Sequence, residues 1–253
     1  MLVKAAAWTV PVIAFAAPVP AMAASPCTPS TNFDGLEVGS RPTSIIFYDA
    51  QNQPTGVTAT LVWSSNAQGG DPTPGDTGLV EQTAQGWNYL ESEMISPLTA
   101  GEWVQLDLTI VGGPVSGLSF IVHDIDKVQG AWTDNVVVTP AGFTFVLGGN
   151  IQGAGTAGNP FNPINFGDTP ISSGLGDVRV TYPGPVSAIS IRYLAGVTGN
   201  SQNQHVGIGD FSYNVCLPPG QQGVQSRMAA GRYQVDVSTE EPSFVESDGS
   251  VDS

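Results

Sequence analysis

The stretch Gly117 to Val138, GLSFIVHDIDKVQGAWTDNVVV, decides how this chain is read. Leu118, Phe120 and Val122 alternate onto one face of an extended strand, and Ile121 and Ile125 fall on the other. A strand apolar on both faces belongs in the middle of a sheet. A second strand follows after a turn, and Asp124, Asp126 and Asp134 gather where the first ends and the second begins. Continued alternation puts Asp124 and Asp126 on one face, two residues apart. Like charges that close raise each other's pKa unless a cation or hydrogen-bond donors compensate. Carboxylates gathered in a loop with backbone carbonyls are what calcium binds, so Asp124, Asp126 and Asp134 form the first candidate metal site. The plainer alternative is three solvated aspartates at the rim of the fold.

Working outward, short apolar runs alternate with turn residues and no stretch sustains a helical period. Strands are expected at Ser44 to Tyr48, Val57 to Ser64, Trp87 to Glu91, Trp103 to Val111, Leu118 to Ile125 and Asn135 to Thr139. Further strands follow at Gly142 to Leu147, Val178 to Tyr182, Ala188 to Tyr193 and Gly207 to Val215. In Trp103 to Val111 the pattern is explicit, with Val104, Leu106, Leu108 and Ile110 on one face and Gln105, Asp107 and Thr109 on the other. About ten such strands indicate an all-β chain, a β-sandwich of jelly-roll type. Two long loops, 66 to 78 and 148 to 176, are rich in Gly, Pro and Asn. The second carries Phe161, Ile164 and Phe166, which favour an ordered loop that either rims a binding surface or covers a sheet edge.

Composition agrees. The 253 residues are only 11% charged and include 31 Gly and 20 Pro, a turn-rich profile. Lys and Arg number 7 against 22 Asp and Glu, for a net charge of −15. Phosphate-bearing partners are repelled by such a chain, so nucleic acid and anionic membrane surfaces are not expected partners.

Residues 1 to 23 have the layout of a secretory signal: Lys4, an apolar run too short to span a bilayer, and Ala21-Met22-Ala23 as cleavage site. No second hydrophobic segment follows, so no transmembrane anchor is expected after cleavage, and the protein is placed outside the cell or on its envelope. Residues 24 to 216 form the expected sandwich domain. Cys27 and Cys216, the two cysteines, sit at its ends and are expected to pair in an oxidising compartment. Closing a loop that long contributes roughly 5 kcal/mol in the chain-entropy account. Residues 217 to 253 are acidic, polar and thinly apolar, the composition of a disordered tail.

If the chain ends are joined, Asp34 in NFDG and Asp210 in GIGDF can meet as a second candidate calcium site, the plainer alternative being turn or capping residues bonded to backbone. Trp132, in the turn beside Asp134, and Phe161 and Phe166, in the long loop, are the candidate ligand-binding aromatics, since exposed rings stack on sugar faces. His123 and His205 lack metal-ligand spacing; His123 reads as a packed or hydrogen-bonded residue and His205 as part of a polar loop. No H-E-x-x-H, G-x-S-x-G or S-x-x-K occurs. Glu91 and Glu93 share one strand face and cannot flank a glycosidic bond, so they read as solvent-facing charges.

The segments FDGLEVGS, LSFIVHDIDKVQGAWTDNVVVTP, VRVTYPGPVSAISIRY and QHVGIGDFSYNVC resemble a group of signal-peptide-bearing secreted or surface proteins of actinobacteria, over Ser30 to Cys216. That group carries no assigned activity to transfer. The closing strand is also similar to those of jelly-roll carbohydrate-binding modules, which implies a structural calcium and glycan-facing loops. The sequence therefore leads to a non-catalytic surface interaction or adhesion domain that contacts a glycan or a cell-surface protein. A carbohydrate-binding module is the alternative, and a glycan-active hydrolase the remote one.

Overall fold

The computed structural model describes residues 30–49, 51–67, 77–94, 99–199 and 204–214. The expectations for the signal segment, for Cys27 and Cys216, for the tail and for most of the loop 66 to 78 lie outside the described residues. Among the described residues fifteen strands are formed: β1 (Ser44–Tyr48), β2 (Pro54–Ser65), β3 (Val80–Gln82), β4 (Asn88–Met94), β5 (Trp103–Val111), β6 (Val115–His123), β7 (Lys127–Val128) and β8 (Trp132–Thr139), then β9 (Thr144–Leu147), β10 (Ile151–Gln152), β11 (Asn162–Pro163), β12 (Val178–Val186), β13 (Ala188–Ala195), β14 (Gln204–Ile208) and β15 (Ser212–Asn214). A 3-10 turn, Phe33–Gly35, precedes them.

Their ladders are antiparallel and build two large sheets besides the two-stranded β10-β11. One runs β1-β2-β5-β13-β8-β7, and the other runs β3-β4-β14-β6-β12-β9 with β15 also on β6. Both sheets contribute their apolar phase to one core. From the first come Ile45, Phe47, Leu61, Leu106, Leu108, Val136, Ile191 and Tyr193; from the second come Leu90, Leu118, Phe120, Val122, Val180 and Ile208. The fold is an antiparallel β-sandwich, as the alternation predicts. In β5 the agreement holds side chain by side chain, with Val104, Leu106, Leu108 and Ile110 all buried.

β6 is central, between β12 on one side and β14 and β15 on the other. The strand stops at His123, however, because Asp124 adopts a left-handed backbone (φ 65°). That turn resets the alternation. Ile125, expected on the outer face, is buried in the core, and Asp124 and Asp126 do not continue one strand face. The last strand differs too. Gln204 to Asn214 is two short strands on the same flank of β6, interrupted at Gly209 and Asp210, and His205 lies within β14, not in a loop.

The long segment 148 to 176 is packed. It carries the small ladder β10-β11, and Val136 and Phe161 exchange both backbone hydrogen bonds, at 2.9 Å each. The Val138 N–H also donates to the Gly155 carbonyl at 2.8 Å. This segment therefore covers an edge of β8, which resolves the choice between rim and edge cover. At the start of the described chain, Ser30 bridges both Ser212 and Tyr48 and so joins the two sheets.

Candidate functional site

The three aspartates of the central stretch are separated by the turn at Asp124. Asp126 is buried, and each of its carboxylate oxygens accepts a bond from the chain: Oδ1 from the Trp132 indole N–H at 2.6 Å, Oδ2 from the Thr169 N–H at 2.6 Å. Asp134 is buried beside it. Its Oδ2 accepts the Asp126 N–H at 3.0 Å, and its Oδ1 accepts the Tyr193 hydroxyl at 2.7 Å and the Gln204 amide at 3.2 Å. Burial raises the pKa of Asp126 to about 6, against the lowering effect of these donors, and raises that of Asp134 well above the ordinary range.

Asp124 points elsewhere, with Oδ2 3.1 Å from His205 Nε2, while His205 Nδ1 lies 3.6 Å from Glu91 Oε1. Burial opposes the charge of His205, but the Asp124 hydrogen bond and the fields of Glu91, Asp124 and Asp134 outweigh it and lift the pKa to about 9. Glu91 is itself buried, not solvent-facing, because β14 and His205 lie over it. Among the described residues no three His, Cys, Asp or Glu side chains converge as metal ligands. Donors already fill Asp126 and Asp134, so this arrangement does not fit calcium, which takes six or more oxygens.

The aromatic candidates divide. Phe161 is wholly buried against Phe143 and Phe145 and cannot meet a ligand, because its backbone is bridged to β8 and its ring is drawn into the core. Trp132 is fixed by Asp126. Phe166 is 63% exposed, with Lys127 Nζ 4.7 Å from its ring centre.

The open site lies on the outer face of the second sheet. There a cleft of about 360 Å³ is lined by residues that include Asp34, Trp87, Ser119, His123, Arg179 and Asp210. Its floor comes from the outward phase of β6 (Ser119, Ile121, His123) and from Arg179 on β12, paired opposite Ile121. Asp34 and Asp210 both line this cleft. Each is anchored through one oxygen: Asp34 Oδ1 accepts the Asn88 N–H at 2.7 Å, and Asp210 Oδ1 accepts the Thr31 hydroxyl at 2.7 Å and the Phe33 N–H at 3.0 Å. Two carboxylates sharing the cleft with a guanidinium are a poor cation site.

Trp87, half-buried just before β4, packs on His123 with ring centres 4.9 Å apart, and on Tyr89 at 5.9 Å. His123 Nδ1 lies 3.0 Å from Asp177 Oδ1. Glycine makes this packing possible at 209, where a Cβ would stand 2.9 Å from His123 Nε2. Trp87 stands in sequence only as the start of an expected strand, and Arg179 is not among the candidate residues that sequence alone offers. Its signal is the outward phase of VRVTY, a lone arginine between buried valines on an inner strand.

No family model matches the chain, and no curated protein matches it. Among solved structures, the adhesin domain of PrgB from Enterococcus faecalis is similar at 13% identity with a TM-score of 0.37, over 68% of this chain and 63% of that one. The chain thus spans less than two thirds of that domain. A second structure of the same domain, described as bound to DNA, gives the same identity and TM-score over 67% of its length. Among the described residues no helix is long and apolar enough to cross a membrane.

Proposed function

We propose that this chain is an exported, non-catalytic β-sandwich of adhesion type that binds its partner through the outer face of the second sheet. The observation that carries this reading is how the carboxylates of that half of the molecule are employed. Asp126 and Asp134 accept bonds that tie strands and the long loop together and are closed to a substrate, while Asp34 and Asp210, each anchored through one oxygen, share their cleft with Arg179. A glycosidase instead needs two carboxyl groups flanking a bond, one held as acid and one as base or nucleophile. The sequence of residues 1 to 23 supports export. A carbohydrate-binding module is the second reading, favoured by Trp87 at the edge of the cleft.

The test is retention. Beads coated with the purified, oxidised chain are passed over bacterial cells and their extracellular polymer. Saturable retention, competed by the soluble chain, is the expected result. Retention on no surface, or product release from chromogenic glycosides or esters, speaks against the reading.

A further inference from the structure

We propose that the cleft on the second sheet is a saccharide site for uncharged sugar, holding one or two pyranose rings, an inference that rests on the interaction reading above. Its volume, about 360 Å³, is at the small end of the range for small-molecule sites. Its lining offers the three things a sugar ring needs. Trp87 presents an aromatic surface already held in place by His123 and Tyr89, on which the C–H face of a pyranose can lie without further ordering of the indole. Asp34 and Asp210 each have one oxygen fixed by the chain, and the second has no partner among the described residues, leaving an acceptor for a sugar hydroxyl.

Arg179 supplies donors. Of the four Lys and Arg side chains among the described residues, Arg41 donates to the Thr77 carbonyl, Lys127 to the Ile164 carbonyl and Arg192 to the Gln105 side chain. Arg179 has no hydrogen bond or ion pair with any described residue, and it stands exposed on the cleft floor. Planar N–H donors and carboxylate acceptors lining one cleft with an aromatic surface can serve vicinal hydroxyls, which donate to one and accept from the other. Charge selects against acidic sugars: two carboxylates flank one guanidinium, in a chain of net charge −15. Trp132, Phe161 and Phe166 play no part in this site.

Titration calorimetry with gluco-, manno-, galacto- and arabino-oligosaccharides and with oligogalacturonate tests the proposal on the purified, oxidised chain. A neutral oligosaccharide is expected to bind and oligogalacturonate to bind at least tenfold more weakly. Arg179→Gln and Trp87→Ala are each expected to weaken the neutral sugar by about tenfold or more. Arg179 is exposed and has no partner among the described residues, so Arg179→Gln should leave the unfolding midpoint unchanged and remains decisive if Trp87→Ala is destabilised. Preference for the uronate overturns the neutral class. Full binding in Arg179→Gln places the sugar elsewhere and overturns the site. Retention on cells with no saccharide bound overturns this inference alone, while loss of both overturns the interaction reading as well.

Discussion

Asp124 decides the local structure more than any other side chain. Its left-handed backbone ends β6, sends Ile125 into the core and delivers its own carboxylate to His205. A histidine raised to about 9 from an unfolded value near 6.5 adds stability that is complete below pH 6.5 and is lost as pH rises through 9. Thermal unfolding should therefore show a falling midpoint between pH 6.5 and 9, and Asp124→Asn should flatten that slope; an unchanged slope in the variant would sink the pairing. Asp126 behaves in the opposite sense to a salt-bridged carboxylate. Raised to about 6, it is protonated in the folded state before the unfolded one, so its burden on stability, of order 3 kcal/mol from the difference in pKa, is felt above pH 6 and relieved as pH falls toward 4. Asp126→Asn removes the titrating group, so the gain in stability expected as pH falls from 6 toward 4 should be lost in the variant, read by denaturant unfolding across that range. Calcium is expected to leave the midpoint within error of the chelator control, since a bound ion at 100 times its dissociation constant would add roughly 2.7 kcal/mol. A rise lost in Asp124→Ala would instead place an ion at that residue.

At the scale of elements, β6 and the segment 148 to 176 carry the argument. β6 presents Leu118, Phe120 and Val122 inward and Ser119, Ile121 and His123 outward, so one strand supplies both the middle of the core and the floor of the cleft. The long segment lacks regular periodicity, yet Phe161 fixes it as firmly as a strand would. Phe161→Ala should cost about 3–5 kcal/mol and raise protease cleavage within 148 to 176, read by unfolding and limited proteolysis. Gly209, where the last strand is interrupted, allows His123 to sit under Trp87. Gly209→Ala brings a Cβ 2.9 Å from His123 Nε2 and should disturb the Trp87 fluorescence environment together with saccharide binding, while the distant first sheet keeps its protection from hydrogen exchange.

For the whole molecule, fold class was legible because burial imposes a period of two on every strand that faces the core, and β5 and β6 carry that period openly. The short strands β3, β7, β10 and β11 escaped, being two or three residues long and set by backbone pairing with neighbours rather than by their own pattern. Sites were less legible. That Asp34 and Asp210 could line one cleft was inferable from their places near the two ends of the sandwich, but the cleft they share with Trp87 and Arg179 draws residues from five separate segments of the chain. Alternation also placed Asp124 and Asp126 together, and one positive φ separated them. By itself, the sequence determined the composition, the acidity, the alternating strands and hence a sandwich, because those follow from local pattern and solvent. Only the tertiary structure decided which carboxylates are buried against donors and which line an open cleft, because that depends on strand register and on a single backbone turn that no periodicity encodes.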